Sequence, residues 1–306
     1  PGHVMTYCLV DFKILSNLPY WNIESFTDEK PYQEEKFYNL FESAVLLRSK
    51  ADVETASFLS GGIDSSSIIK KQIDLNLNVN TFSMSFSNQN YDESKWFSEV
   101  AEKYNTNHKQ STISALLDLD KVHESIDIFD EPYADSSTIP SYFLAKEISK
   151  YYKVAISGDG GDELLGGYEH IKRLLNSKNN YFLSSLYNIY PPRLGTGSNF
   201  LRFHKNKKIS HESFFVDRKF IDQLNIDYVH GFKSRYFNKQ EISYKDHMIA
   251  DYNFYLSEMM MLKIDRTSMA NSLEIRSPFV DHRLVEYALS SNFEAMFYRE
   301  SKQILK

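Results

Sequence analysis

The stretch Ser60-Gly61-Gly62-Ile63-Asp64-Ser65-Ser66 follows the apolar run Ala56-Ser57-Phe58-Leu59, and this order of residues decides the fold. It predicts a buried strand that ends in a glycine turn and leads straight into a helix. Glycine adopts backbone angles that other residues avoid, and it places no Cβ in the way of a ligand. Backbone N–H groups in such a turn converge on an anion, and the positive end of the helix strengthens the attraction. The stretch therefore predicts an anion site.

The side chains of this stretch favour a phosphate as the anion. Ser60, Ser65 and Ser66 offer hydroxyl donors, and Asp64 is a hard oxygen ligand where Mg²⁺ would bridge phosphate oxygens. The loop is not a Walker A motif, because no Gly-Lys-Ser/Thr follows the glycines. The pattern Ser-Gly-Gly-x-Asp-Ser resembles the pyrophosphate loop of enzymes that split ATP into AMP and pyrophosphate. The alternative is a strand–turn–helix corner with a capping aspartate.

Composition excludes several classes of partner. The chain has 306 residues, 42% of them hydrophobic, and a formal net charge of −6. A non-specific nucleic-acid binder is usually basic, so we expect no nucleic-acid partner. No run approaches the ~18 apolar residues of a membrane span, so we expect no membrane partner. A single cysteine forms no disulfide within the chain, which is typical of a reducing compartment. We therefore expect a soluble cytoplasmic protein.

Strands and helices alternate through the first half of the chain. Strands are predicted over 55–59, 81–86, 108–113 and 154–157, with amphipathic helical segments between them. This alternation predicts an α/β fold with a parallel sheet. Ligands of such sheets bind beyond the carboxyl ends of the strands, where the loops 60–66 and 157–167 would meet. After Tyr168 the spacing is mostly helical, as in a predicted helix over Tyr244–Leu262.

A second glycine-rich motif follows the predicted strand 154–157. The run from Ile156 to Tyr168 holds five glycines and three acids. Clustered carboxylates repel one another unless a cation or a proton offsets them, and beside a phosphate loop Mg²⁺ is the simplest cation. Asp64 and Asp162 are the metal-ligand candidates. Asp159 is a candidate for meeting the incoming nucleophile or its protons. The alternative is an acidic surface loop.

A third motif, 263–281, interleaves balanced charges with apolar residues. Buried charges must be paired. The motif therefore indicates either a structural ion-pair network or the wall of a pocket for a charged substrate. The substrate-pocket candidates are Asp265, Glu274, Arg276 and Asp281. Asp281 is also placed to cap a helix that runs through Leu289.

These three motifs, in this order, resemble the synthetase domain of the asparagine synthetase family. The similarity covers most of the chain, and it includes Asp130-Glu131-Pro132-Tyr133-Ala134-Asp135-Ser136-Ser137 and Ile139-Pro140. It implies a parallel-sheet ATP-pyrophosphatase core with helical additions in the C-terminal half. Residues 1–24 resemble the connector that follows a glutaminase domain, and 25–306 resemble the synthetase domain with a shortened C-terminus.

The resemblance implies a reaction and a set of site residues. Family members use ATP and Mg²⁺ to convert a carboxylate, most simply the aspartate side chain, into an acyl-adenylate, which ammonia then turns into the amide. Asp64 and Asp162 would hold Mg²⁺, while Asp159 and Lys302 would act on the reacting groups. The residues expected to bind ATP or pyrophosphate are Leu59, Ser60, Gly61, Gly62, Asp64, Ser65, Ser66, Met84, Ser157 and Gly158.

The resemblance also concerns partners and alternatives. Glutamine-dependent relatives begin with a catalytic cysteine, whereas this chain begins with proline, so we expect no glutaminase activity from it alone. Ammonia would come from solution or from a glutaminase domain, in the full-length protein or in trans. A homodimer is a further prediction. The alternatives are an amidotransferase or a β-lactam synthetase-like enzyme acting on another carboxylate, or a non-catalytic fragment that binds ATP.

Overall fold

The computed structural model describes residues 2–26, 28–86, 92–113, 119–131, 133, 135, 137–168, 244–292, 302 and 305. In chain order the strands are β1 (His3–Cys8), β2 (Lys13–Pro19), β3 (Thr55–Phe58), β4 (Asn80–Phe86), β5 (Asn107–Ile113), β6 (Val154–Ile156) and β7 (Glu274–Arg276). The α-helices are α1 (Glu34–Ser49), α2 (Ile63–Asp74), α3 (Ser94–Lys103), α4 (Leu119–Ile126), α5 (Thr138–Ile148), α6 (Gly161–Leu165), α7 (Tyr244–Ala250), α8 (Met261–Met269) and α9 (His282–Ser290).

Five parallel strands form the central sheet, in the order β5-β4-β3-β6-β7. This confirms the predicted α/β fold and all four predicted strands. The sequence prediction missed β7, which pairs in register with β6 from Val154 opposite Glu274 to Ile156 opposite Arg276. β7 is only three residues long and charged at both ends, so its sequence is too short to show a strand pattern.

Helices cover both faces of the sheet. Neighbouring residues of a strand point to opposite faces. On β4, Phe82 packs with the apolar side chains of α5. Thr81 points the other way and contacts His108, whose ring lies 5.6 Å from that of Phe97 on α3. Helices therefore bury both faces of the sheet, as is usual for a parallel sheet.

The largest apolar cluster lies beside the sheet and joins the two halves of the chain. It is built mainly from α1, α2, α6, α7 and α9, together with Ile156 of β6 and Phe279 of the short turn Pro278–Val280. Its other large members include Phe37, Phe41, Ile68, Leu164, Leu165, Leu284 and Leu289. Each of these side chains stabilises the fold by about 1.5–3 kcal/mol when buried. Because α6 contributes Leu164 and Leu165, the second glycine-rich motif is fixed directly to this core.

The first residues form an antiparallel hairpin of β1 and β2, outside the central sheet. Most of its side chains are exposed, including large apolar ones such as Leu9 and Val10. The carbonyl of Gly2 accepts hydrogen bonds from Tyr20 and Trp21, and the indole of Trp21 donates to Glu286 at 2.8 Å. A distinct segment therefore precedes α1, while the domain boundary at residue 24 stays a prediction.

The C-terminal half contains a continuous helical run from Tyr244 to Met269. It consists of α7, a π-helical stretch over Asp251–Met260, and α8, so it is longer than the predicted helix over Tyr244–Leu262. The further helical additions expected between residues 169 and 243 lie outside the described residues. Among those described, no helix is both long and apolar enough to cross a bilayer.

Asp281 anchors the start of α9 and ties it to α1. Its carboxylate accepts from the backbone N–H of Arg283 at 3.0 Å, which confirms the predicted cap. It also forms ion pairs with Arg48 and, at 2.8 Å, with Arg283, although only 2% of its side chain is exposed. Burial works to raise the pKa of Asp281, but the hydrogen bonds from Arg283 and the charges of both arginines outweigh it and hold the pKa at about 2.

Asp281→Ala is expected to lower the free energy of unfolding at pH 7 by about 2–4 kcal/mol, through the lost cap and the unpaired arginines. The folded pKa lies below that of the unfolded chain, so the Asp281 contribution is complete above pH ~4 and disappears as the pH falls toward 2. Urea titrations should therefore show the difference between variant and wild type shrinking over that range. Asp74→Ala, at an exposed pair with Lys70, is the control and should cost less than about 1 kcal/mol. A difference independent of pH would contradict the ion-pair assignment.

Candidate active site

The two glycine-rich loops lie against each other. Strands β3 and β6 are parallel neighbours, so the loops that follow them leave the same edge of the sheet. A Cβ on Gly158 would lie 3.1 Å from Cβ of Asp64 and 3.2 Å from the backbone nitrogen of Ser65. A Cβ on Gly161 would lie 2.7 Å from Cγ of Asp64. The predicted meeting of the loops is confirmed, and the second loop needs glycine here for the contact.

The first loop is closed by its own serines. The hydroxyls of Ser60 and Ser65 lie 3.1 Å apart, and the N–H of Gly62 donates to Ser60 Oγ at 3.2 Å. Gly61 has a φ of +80°, and a Cβ there would lie 2.6 Å from Cβ of Trp96. Only glycine therefore fits this turn without moving the start of α3.

Gly61→Ala is expected to lower the free energy of unfolding by about 2–4 kcal/mol, from the left-handed backbone and the overlap with α3. Gly62 is a matched control, since its φ is −70° and a Cβ there would meet only Ser60 Oγ, at 3.2 Å. Gly62→Ala should stay within about 1 kcal/mol of the wild type. Chemical denaturation of both variants measures the difference, and equal losses would rule out the proposed turn geometry.

The start of α2 presents unused hydrogen-bonding groups. Gly62 caps the helix without a side-chain hydrogen bond, so the N–H groups of the first turn lack intrahelical partners. In the described part of the chain, Ser66 Oγ and Asp64 Oδ1 are buried and have no hydrogen-bond partner. Buried polar atoms are normally paired. Donors at a helix start suit an anion, and a bare carboxylate oxygen suits a cation.

Lys302 joins the two loops through their aspartates. Its ammonium donates to Asp64 Oδ2 and lies 2.5 Å from Asp162 Oδ1. The side chains of Lys302 and Asp64 are only 12% and 16% exposed, whereas Asp162 is 40% exposed. A Cβ on Gly167 would overlap both Asp162 Oδ1, at 1.7 Å, and Lys302 Cε, at 2.3 Å. The structure therefore brings together three of the predicted site residues.

The site is short of positive charge. Burial raises the pKa of Asp64 to about 6; Lys302 opposes this rise, while the charges of Asp162 and Asp159 add to it. Burial also raises the pKa of Asp159, against the opposing charge of Lys263. The pKa of Lys302 is raised, because its two carboxylate partners outweigh the effect of burial. The Lys302 ammonium is shared between two carboxylates, those of Asp64 and Asp162, so a further cation is favoured.

The residues present fit Mg²⁺. Asp64 and Asp162 offer hard carboxylate oxygens, and Asp64 Oδ1 is buried without a partner in the described ranges. No three His, Cys, Asp or Glu side chains of those ranges converge as metal ligands. Mg²⁺ is usually held by one or two protein carboxylates, with phosphate oxygens and water completing its shell. Two aspartates beside an anion site are such a donor set.

The loop that carries Asp159 is held from the far side by β7 and the residues after it. The N–H of Ser157 donates to the carbonyl of Arg276 at 3.0 Å, and the hydroxyl of Ser277 donates to the carbonyl of Asp159. Gly160 has a φ of +84°, and a Cβ there would lie 2.7 Å from Val280 Cγ1. The third motif therefore positions the second.

The residues expected to contact the nucleotide through their backbone lie around this edge. The N–H of Leu59 donates to Phe82 at 2.9 Å and its carbonyl accepts from Ser83, so both of its polar groups already have a partner. Met84 is half-buried on β4, and Ser157 and Gly158 begin the second loop. Their contacts with a nucleotide stay a prediction.

The four substrate-pocket candidates are spread over the third motif. Asp265 is exposed on α8. Glu274 pairs with Arg276 at 2.7 Å, and Arg276 also donates to the carbonyl of Lys50 at 2.6 Å. Asp281 holds α9 to α1, as described above. For Glu274, Arg276 and Asp281 these contacts favour the ion-pair network, and a role in substrate binding stays a prediction.

Sequence reasoning assigned no role to Glu163 and Tyr168, which form a pair beside the site. Glu163 is 2% exposed and accepts a 2.5 Å hydrogen bond from the Tyr168 hydroxyl. Burial raises the pKa of Glu163 to about 7. The sequence shows Glu163 as the third acid of the glycine-rich motif, but helical spacing alone does not show that its side chain is buried.

A second missed feature is the buried Lys263. Its side chain is 5% exposed, and its ammonium donates to Asp135 at 3.1 Å and to Ser137 Oγ at 2.7 Å. This contact joins the Asp130–Ser137 motif to the third motif. Pro132, Ala134 and Ser136 of that motif lie outside the described residues. The pairing rule predicts some partner for a buried lysine, but it does not say that the partner is 128 residues away.

Comparison with known proteins adds the family. The asparagine synthase family model matches residues 36–306. Asparagine synthetase (glutamine-hydrolyzing) 1 of Bacillus subtilis is 30% identical over 265 residues, which are 80% of this chain and 42% of that protein. A putative asparagine synthetase (glutamine-hydrolyzing) of Mycobacterium tuberculosis is 27% identical over 275 residues, 84% of this chain and 42% of that protein. The chain thus spans a little under half the length of these relatives.

Among solved structures, the NH3-dependent NAD synthetase from Campylobacter jejuni aligns with 77% of this chain and 96% of its own. The TM-score is 0.33 and the sequence identity is 15%, so this likeness carries no weight.

Proposed function

The chain belongs to the asparagine synthase family, and from this membership we propose that it carries the ligase half of an ATP-dependent amide-forming reaction. A carboxylate oxygen of the acceptor, most simply the aspartate side chain, attacks the α-phosphate of ATP, and pyrophosphate leaves. Ammonia then attacks the acyl carbon, loses a proton, and AMP leaves. The products are asparagine, AMP and pyrophosphate.

The contact between the two glycine-rich loops is the observation that supports this proposal. The start of α2, where we propose that the phosphates bind, lies at this contact together with Asp64, Asp162 and Lys302. A triphosphate needs both kinds of group, N–H donors for its oxygens and cations for its charge.

Each residue has a distinct part in the proposed reaction. Backbone N–H groups and hydroxyls of Ser60–Ser66 hold the pyrophosphate portion in line with the acceptor. Asp64 and Asp162 hold Mg²⁺, which when bound neutralises charge on the phosphate oxygens. Lys302 donates to the phosphate oxygens on which charge develops during attack. Asp159 lies on the second glycine-rich loop, as Asp162 does, and it accepts the proton that the attacking ammonia loses.

The ammonia source and the location follow from the relatives and the composition. Relatives of this chain are named as glutamine-hydrolyzing and are about twice its length. We propose that a glutaminase domain, in the same protein or in trans, supplies ammonia in the cell, and that ammonium replaces it in a test tube. A cytoplasmic location and a homodimer both stay predictions.

Product analysis tests the proposed function. The protein is incubated with Mg-ATP, ammonium and one carboxylic amino acid at a time, and AMP, pyrophosphate and the amide are measured by chromatography. Pyrophosphate release that depends on aspartate, with asparagine formed in equal amount, is the expected result. A parallel incubation without ammonium should still release pyrophosphate in a burst, because adenylation precedes the attack of ammonia.

Other outcomes identify the alternatives. Release with a different carboxylate would move the acceptor to that compound and keep the adenylation chemistry. A cyclic amide formed without ammonium would indicate a β-lactam synthetase-like reaction. ATP binding without release under any of these conditions would contradict the ligase proposal and indicate a binding fragment.

A further inference from the structure

Lys302 occupies one carboxylate oxygen on each of the two aspartates that would hold a divalent cation. The Lys302 ammonium contacts Asp64 Oδ2 and Asp162 Oδ1, one oxygen of each aspartate that would hold a metal. Mg²⁺ requires oxygen ligands at about 2.1 Å. A metal bridging these two oxygens would therefore overlap the ammonium, and two cations in one place repel strongly.

The Lys302 side chain is closely packed, so its ammonium has little space to move within the site. Gly167 packs so closely that its hypothetical Cβ would lie 2.3 Å from Lys302 Cε. The lysine side chain is only 12% exposed. A metal that takes both oxygens must therefore move the Lys302 side chain out of the gap between the loops.

The backbone of Lys302 adopts an unfavourable conformation. Lys302 has a φ of +58°, an unfavourable region for a residue with a Cβ. Its carbonyl accepts from the N–H of Leu305 at 3.0 Å, and Leu305 packs against the large apolar cluster. Such a conformation persists only when surrounding contacts enforce it. Loss of the ion pairs with Asp64 and Asp162 removes one set of contacts that supports this conformation, and the packing of Leu305 against the cluster remains.

We propose that Lys302 is an internal counter-cation, which holds the two loops together before substrate binds and is displaced from Asp64 and Asp162 when the divalent cation enters. The proposal rests on the proposed function for the identity of that cation. Its consequence is an order of events: the divalent cation displaces the ammonium, the freed ammonium turns to the phosphates, and the site becomes competent only after this exchange. Leu305 keeps the freed lysine within reach of the site.

Two measurements on the intact chain, without nucleotide, test the exchange. Mn²⁺ replaces Mg²⁺ as an observable probe, and its binding to the wild type and to Lys302→Met is measured by electron paramagnetic resonance. In parallel, acetylation of each lysine by an N-hydroxysuccinimide ester is followed by mass spectrometry, with and without saturating Mn²⁺. Lys263 is the control, since it is also a buried lysine, and it pairs with Asp135 and not with either proposed metal ligand.

Competition predicts that Lys302→Met binds Mn²⁺ at least about tenfold more tightly than the wild type, which corresponds to ~1.4 kcal/mol. It also predicts that Mn²⁺ raises the acetylation rate of Lys302 severalfold and leaves that of Lys263 unchanged. The reactivity measurement separates competition from a general charge effect, because a distant charge effect would not expose the amine.

Two results would overturn the proposal in distinguishable ways. If Mn²⁺ binds with dependence on Asp64 but Lys302 reactivity stays constant, the metal uses other oxygens and only the exchange fails. If neither protein binds Mn²⁺ in a way that Asp64→Asn removes, the metal assignment within the proposed function fails, and the exchange fails with it.

Discussion

Asp64→Asn is expected to lower Mg²⁺-dependent release of pyrophosphate at least about a thousandfold, or ~4 kcal/mol of transition-state stabilisation. Asparagine preserves the volume of the side chain but removes the charge that would hold both the metal and Lys302. Asp64 belongs to the first glycine-rich loop and packs against the second at Gly158 and Gly161. It also forms an ion pair with Lys302. Losing its charge therefore affects metal binding and loop contact together.

Steady-state release of pyrophosphate, measured over a range of Mg²⁺ concentrations, checks this prediction. Asp74→Asn is the matched control, since Asp74 lies on the same helix in an exposed pair with Lys70 and should leave activity within about twofold. Thermal melts of both variants verify that they are folded. Wild-type turnover in Asp64→Asn would remove this residue from the metal site.

Lys302→Met is expected to lower the rate of adenylation about 100- to 1,000-fold, while the Kd for ATP changes only a few-fold. Methionine keeps most of the aliphatic length but donates no hydrogen bond. The separation of rate from binding follows from the proposed part of Lys302, which donates to oxygens that gain charge only as the bond to the α-phosphate forms. A purely structural lysine would change both quantities through a loss of folded protein.

Single-turnover formation of AMP from labelled ATP measures the rate, and calorimetry measures the affinity. Lys70→Met, at the exposed pair on α2, is the control and should change neither. An unchanged adenylation rate in a folded Lys302→Met would show that the ion pairs with Asp64 and Asp162 are structural only.

The sheet and the meeting of its loops could be predicted because local sequence specifies them. The runs over 55–59, 81–86 and 154–157 contain the apolar residues of buried strands, whereas 108–113 is mostly polar and is identified by its place in the alternation of strands and helices. The helices between the strands force a parallel arrangement. Once the strands are parallel, loops that follow neighbouring strands must share an edge. The contact of Gly158 with Asp64 follows from this topology, and the sequence supplied each step.

The partners of the charged residues could not be predicted in the same way. Lys263 with Asp135, Arg48 with Asp281 and Lys302 with Asp64 are each separated by more than a hundred residues. Charge pairing is decided by tertiary packing, and a sequence shows only that some partner is needed. For the same reason, the sequence supports both a role in a substrate pocket and a structural role for Asp281.

The short strand β7 shows a different limit. Glu274-Ile275-Arg276 has one apolar residue, yet it completes the sheet, and Arg276 and the adjoining Ser277 receive and give the hydrogen bonds that hold the Asp159 loop. A strand of three residues is too short for a periodic pattern to identify it. Function-bearing loops can thus be supported by segments that no periodicity identifies.

A crystal structure of this chain with Mg²⁺ and α,β-methylene-ATP, which resists cleavage at the reacting bond, tests the central claim most directly. The account predicts phosphates against the N–H groups at the start of α2, with the metal between Asp64 and Asp162 and both glycine-rich loops in contact with the nucleotide. A triphosphate bound by only one loop, or a metal held without either aspartate, would contradict it.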